Sequence, residues 1–236
     1  MSSKANTNTK SKTKSRTRSK NRKTRTRAKT PRPVPIFDVF QKGLIRGSEH
    51  LAFDPEKAYA YVEHPTEGWR VYLRSCAFVH LEGETDKSHF LVVKKTGKPA
   101  YSYSWEPPKG QMEGKDLGRS KPITHYLLEN VRREMEEEAA IHNITSIRHT
   151  GLIYQNQEKT YPPNWYFQYH VYEVTISEKE LEKVMEHFQW IADHPEEFAR
   201  LKRDQREKDA VAWYNPPSMK VYGSWSPGII KMYLEK

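Results

Sequence analysis

Apolar and polar residues alternate most clearly in two stretches of the chain. Residues 70–81 alternate and are rich in Val, Tyr and Phe, which predicts one or two strands. Residues 166–176 set Phe167, Tyr169, Val171 and Val174 among other β-formers and predict the clearest strand. Phe90-Leu91-Val92-Val93, closed by Lys94-Lys95, predicts a further strand after a turn over residues 83–87. A helical period runs through residues 123–140, with Pro122 suited to a first turn. Ser177-Glu178-Lys179-Glu180 reads as a capping box, so a helix should follow to about His194. Pro195 interrupts it, and a second, charged helix is expected to about Lys208. Residues 209–214 predict a short strand and residues 229–234 a closing helical turn. Residues 96–110 hold two Gly, three Pro and three aromatics, the composition of a structured loop. Residues 36–69 have a mixed pattern that gives no assignment. Strands and helices intermix, so the body is expected to be α+β or α/β.

Composition divides the chain further. Met1 to Pro33 contains 13 Lys or Arg and no Asp or Glu, so the formal net charge of +10 belongs to this arm. Residues 34–236 carry 27 basic and 30 acidic side chains. The arm has no aromatic residue and too little apolar surface to offset chain entropy, so disorder is expected there. Its chemistry suits RNA or another polyanion held by counterion release, or a nuclear address. Three segments follow: the arm at 1–33, an N-terminal extension at 34–69, and a domain at 70–236. No apolar run is long enough for a membrane-spanning helix, and no secretory h-region is present near Met1. The lone Cys76 excludes a disulfide framework and suits a reducing, intracellular compartment, cytoplasm or nucleus, with no membrane partner.

The chemistry concentrates in the helix at 123–140. At about 100° per residue, Glu134, Glu137 and Glu138 share a narrow sector lying roughly 110° from the apolar Leu128, Val131, Met135 and Ala139. Glu129 and Glu136 point nearly opposite the core and read as solvated. Three carboxylates at i, i+3 and i+4 beside a core edge repel one another unless a cation lies between them. Such hard oxygen donors suit Mg²⁺ or Mn²⁺. Arg133 can pair with Glu137 one turn on. Alone, the cluster would read as an ordinary charged surface helix, but the glycine-containing stretch Gly110-Gln-Met-Glu-Gly-Lys-Asp116 precedes it and permits close backbone approach.

Together these residues resemble the box of the Nudix hydrolases, G-x5-E-x7-R-E-U-x-E-E-x-G-U with U aliphatic. Gly110 matches the opening glycine, Arg133-Glu134-Met135-Glu136-Glu137-Glu138 the R-E-U-x-E-E core, and Ile141 the closing aliphatic. Trp105-Glu-Pro-Pro-Lys-Gly110 is similar to the W-x-x-P-K-G approach of branches acting on dinucleoside polyphosphates, diphosphoinositols and mRNA caps. Three positions depart from the pattern. Asp116 replaces the first glutamate, 16 residues instead of seven separate it from Arg133, and Ala140 replaces the closing glycine.

The resemblance implies an α/β/α sandwich around a mixed sheet and a metal-dependent pyrophosphohydrolase. Glu137 and Glu138 would ligate the metal with the Gly110 carbonyl, Glu134 would ligate it or act as general base, and Arg133 would orient the glutamates. Asp116 would be a weakened supporting group, and Glu207 or Asp209 would supply a further acidic ligand. Substrate phosphates need cations beside this acidic cluster, and Lys95, Lys109, Arg119 and Lys121 are the nearest in sequence. Tyr101, Tyr103 and Trp105 either stack a base or pack their loop onto the core. An mRNA cap is favoured as substrate by the basic arm. Diphosphoinositol or dinucleoside polyphosphates are the alternatives, and an inert Nudix-like domain within a nucleic-acid-binding protein is another.

Overall fold

The computed structural model describes residues 34–236; the basic arm, where disorder was expected, lies outside the described residues. Residues 36–236 form one unit. Its spine is the twelve-residue strand β3 (Arg70–Leu81), most of it completely buried. β3 runs parallel to β8 (Trp165–Ile176) in unbroken register from Arg70↔Trp165 to Leu81↔Ile176. These are the two strands with the strongest alternation in the sequence. β-Branched and aromatic residues on both faces suit a strand covered on both sides.

Residues 36–69 contribute an antiparallel pair, β1 (Ile45–Leu51) and β2 (Asp54–Glu63), and β2 continues the sheet by pairing with β3. The segment read as a loop, residues 96–110, contains β5 (Tyr103–Glu106) and leads into β6 (Lys109–Gln111). Its prolines fall between strands, at 99, 107 and 108, where no ladder hydrogen bond is lost. β5 lies between β4 (Leu91–Lys95) and β10 (Lys220–Val221), while β4 also pairs with β9 (Lys208–Trp213). β7 (Ser146–Asn156), which the pattern did not pick out, pairs with β8; most of its residues are only half-buried, which blunts the alternation. The sheet is mixed, with β3–β8 and β5–β10 parallel and the other pairs antiparallel.

Odd-numbered residues of β3, such as Val71, Leu73 and Val79, pack with α1 (Ile123–Ala139), α2 (Glu178–Asp193) and α3 (Pro195–Arg200). Even-numbered Tyr72 and Phe78 face Ile229, Ile230 and Tyr233 of α4 (Ser226–Leu234), with Tyr233 stacked on Phe78 at 3.7 Å between ring centres. Helices therefore cover both faces, as the α/β/α expectation requires. The buried stripe of α1 runs through Leu127, Val131 and Met135 and takes in Glu134 and Glu138, leaving Leu128 half-exposed. α1 ends with Ala140 at φ 53°, its N–H on the Glu136 carbonyl and that of Ile141 on Met135. This Schellman ending turns the chain so that Ile141 is buried. Among the described residues no helix is long and apolar enough to cross a membrane.

Candidate active site

β6 brings the glycine-containing stretch against α1. Gly110 pairs with Ser75 and Lys109 with Cys76 of β3, and a hydrogen bond from Asn130 Nδ2 to Ser75 Oγ (2.6 Å) ties α1 to the same strand. A Cβ on residue 110 would fall 1.9 Å from Glu134 Oε2, so only glycine admits the carboxylate here. One residue earlier, the Lys109 N–H donates to Glu138 Oε2 at 2.8 Å. The approach strand and two of the helix glutamates are thus in direct contact.

Arg133 clamps the others. It donates to Glu137 Oε2 (2.6 Å), Glu134 Oε1 (2.7 Å) and Asn130 Oδ1 (2.8 Å). Asp116 lies 3.5 Å from its Nε and Glu113 3.7 Å from Nη1. Glu136 is exposed and, among the described residues, paired only with His142. Burial pushes the Glu134 carboxyl up to about 8 against the pull of Arg133, with Glu138, Glu137 and Glu207 adding to the rise. Burial likewise raises Glu137.

Behind this face is a buried set of alternating charges. Lys208 Nζ lies 2.5 Å from Glu106 Oε1 and 2.8 Å from Glu138 Oε1, and Lys109 Nζ lies 2.6 Å from Glu106 Oε2. Burial alone would raise Glu106, but Lys109 and Lys208 bring it down to about 2. Burial opposes the charge on Lys208, yet Glu138 and Glu106 hold its pKa above the ordinary lysine value. The set opens into a cavity of about 620 Å³ to which Lys95, Arg203, Arg206 and Glu207 contribute. Five basic and three acidic side chains line it, a balance that favours an anion.

Carboxylate donors, one buried with insufficient positive charge around it and pressed against a glycine, fit a hard divalent cation in chemistry. As they stand, the donors are held by Arg133 and Lys208, and among the described residues no three His, Cys, Asp or Glu side chains converge as a ready metal cage. Of the expected phosphate-binding cations, Lys95 and Lys109 line the cavity. Arg119 lines a separate cleft with Arg46 and Ser48, and Lys121 is turned to Glu129 at 2.8 Å; neither reaches it. Glu207 faces the cavity, whereas Asp209 is taken by Lys94 at 2.5 Å and by the Gly97 N–H. Trp105 is buried, while Tyr101 and Tyr103 stand exposed.

Sequence reasoning missed Lys208, Glu106, Arg203 and Arg206. Lys208 sits in a run of charges that reads as solvated, and strand pairing alone turns it inward. Glu106, three residues before Lys109 in a stretch otherwise apolar or proline, was the one available signal.

No protein-family model matches the chain, and no curated protein matches it. Solved structures similar to it include the Nudix domain of Shewanella oneidensis NrtR complexed with ADP ribose: 14% identity, 73% of this chain and 92% of that chain, TM-score 0.42. A Nudix hydrolase from Nitrosomonas europaea is 13% identical over 69% and 87%, TM-score 0.39. A C. elegans Ap4A hydrolase is 11% identical over 69% and 93%, TM-score 0.35. Likeness of that degree carries no argument about activity, which rests on the site's own geometry.

Proposed function

We propose that the chain is a pyrophosphohydrolase of the Nudix type that cleaves a phosphoanhydride bond in a nucleotide-linked substrate, with capped RNA as the preferred class. The observation that carries this reading is the placement of Glu134, buried against Gly110 one helical turn before Glu138, which lines a cavity rich in cations. Mg²⁺ or Mn²⁺ held by Glu137, Glu138 and the Gly110 carbonyl, with Glu134 as a further ligand or as the general base, would supply charge neutralisation and water activation. Beside a divalent cation the Glu134 carboxyl would be drawn into its ionised form, the form that accepts a proton. As general base, Glu134 would take the proton of the attacking water as the water oxygen bonds to phosphorus and the bridging P–O bond breaks. Arg133 positions the glutamates, and Lys95, Arg203 and Arg206 hold the phosphates.

The test is product release from capped RNA, diphosphoinositol polyphosphate and dinucleoside polyphosphates with Mg²⁺ or Mn²⁺. Turnover lost in Glu137→Gln and kept in Glu136→Gln supports the proposal, and the best substrate selects the class. No turnover together with no Mn²⁺ binding favours a binding-only domain, the reading for which the ammonium of Lys208 on Glu138 speaks.

A further inference from the structure

At the rim of the cavity the sheet ends in β4, β5 and β10, and the side chains there form a surface of which the hydrolytic reading uses only Lys95. Tyr103 is 67% exposed and Tyr101 77% exposed. Tyr103 is paired in register with Lys220 of β10, whose Nζ lies 5.5 Å from the ring centre. Next along the rim, Lys95 Nζ lies 4.8 Å from the centre of the Tyr222 ring and 3.1 Å from its hydroxyl. Lys95 and Tyr222 line the cavity on the other face of the sheet: Lys94 pairs with Trp105, which puts Trp105 and Tyr103 on one face and Lys95 on the opposite one. The two faces meet at the β10 edge. Among the described residues no carboxylate pairs with Lys95, Lys98 or Lys220. The nearby Asp209 is already occupied by Lys94.

The platform is preformed. Trp105 is buried beneath it and donates through Nε1 to the Ala100 carbonyl at 2.8 Å. Ser102 and Ser104 hydroxyls both bond the Pro99 carbonyl, closing the loop that carries Tyr101. Two large rings are therefore held open to solvent, Tyr103 beside a lysine that lacks a counter-ion among the described residues.

We propose that this rim binds single-stranded nucleic acid, its bases stacking on Tyr101 and Tyr103 and its phosphates lying on Lys95, Lys98 and Lys220. Uncompensated cations select a polyanion, and exposed aromatic faces select unpaired bases over a duplex, whose bases already stack on one another. The strand would cross the β10 edge to reach the cavity past Tyr222. The proposal rests on the pyrophosphohydrolase reading for that direction only; the binding itself stands apart from turnover.

The test uses the full chain in EDTA with uncapped 12-mers carrying 2-aminopurine, as single-stranded RNA, single-stranded DNA and duplex. The arm at 1–33, expected to hold polyanions, has no aromatic residue, so quenching by a stacked ring reports on the body alone. Quenching of single strands by wild type is expected, with loss of quenching and about tenfold or more weaker single-strand binding in Tyr101→Leu/Tyr103→Leu. Duplex binding should stay the same. 4-Thiouridine cross-links should map to Tyr101, Tyr103 or Tyr222, and the RNA and DNA arms show whether the 2′-hydroxyl matters. Both rings are exposed, so the variant's melting temperature should match wild type, which guards against misfolding. Unchanged quenching in the variant, or cross-links confined to other residues, overturns the proposal. A chain that stacks RNA but hydrolyses nothing retains this inference and sinks the catalytic one; hydrolysis without stacking does the reverse.

Discussion

Glu134→Gln should make the metal-free protein more stable while removing its activity. Burial moves this carboxyl from an ordinary 4.5 to about 8, and each unit between folded and unfolded values is worth about 1.4 kcal/mol. Below pH 4.5 both states are protonated and nothing is lost. As pH rises from there, the unfolded chain ionises and the folded one does not, so stability falls until the folded carboxyl itself ionises near 8. The penalty is under about 1 kcal/mol at pH 5, about 3 kcal/mol at pH 7 and about 5 kcal/mol at full ionisation. Glutamine keeps a carbonyl for Arg133 and removes the titration. Urea unfolding in EDTA at pH 5, 7 and 8.5 measures the gap directly. The variant should gain about 3 kcal/mol at pH 7, equivalent to a melting shift of about 6–12 °C for a domain of this size. Mn²⁺ should narrow the gap by stabilising wild type alone. A gain that does not grow with pH, or no gain at pH 8.5, would refute the argument that Glu134 is buried without enough positive charge.

Gly110→Ala should cost about 1–3 kcal/mol by urea unfolding and abolish turnover, because its Cβ occupies the Glu134 carboxylate's place; adding Glu134→Ala should recover the stability but not the activity. Ala140→Gly should raise stability by about 1 kcal/mol with turnover unchanged, since the residue sits at φ 53°, where a side chain is strained. Lys208→Met should cost about 3–5 kcal/mol without metal by leaving Glu106 and Glu138 short of a cation. Titration calorimetry should show the same variant binding Mn²⁺ more tightly than wild type; equal affinity would mean that the ammonium does not compete for Glu138.

The elements most legible in the sequence are those whose environment is uniform along their length. β3 and β8 are covered on both faces, and α1 and α2 present one continuous buried stripe, so periodicity and the Ser177 cap mark them. β5 and β6 were hidden by the prolines around them, and β1, β2 and β7 by half-burial that mixes polar with apolar residues. The contact of Gly110 with Glu134 was foreshadowed by the spacing of glycine and glutamates. The partner of Glu138 was not, because Lys208 is 70 residues away and reaches it only through the pairing of β9 with β4. Lys121 shows the converse: nearest in sequence to α1, it spends its charge on Glu129 of the same helix.

This long-range placement decides the electrostatics of the site. Glu106 and Glu138 are matched by Lys109 and Lys208, so the buried set is close to neutral. Arg133 is shared between Glu134 and Glu137, which leaves the acidic face short of about one positive charge. At the cavity mouth the surplus reverses: Lys95 and Arg206 outnumber Glu207, while Arg203 is paired with Glu56 at 3.1 Å. A polyanion is therefore attracted at the mouth and repelled at the helix face until a cation settles there. Divalent metal and phosphate should consequently bind with positive coupling, each raising the other's affinity. Calorimetric titration of Mn²⁺ with and without inorganic pyrophosphate measures it, and in Glu134→Gln, where the charge deficit is removed, the coupling should shrink; coupling of the same size in both proteins would separate the two halves of the site.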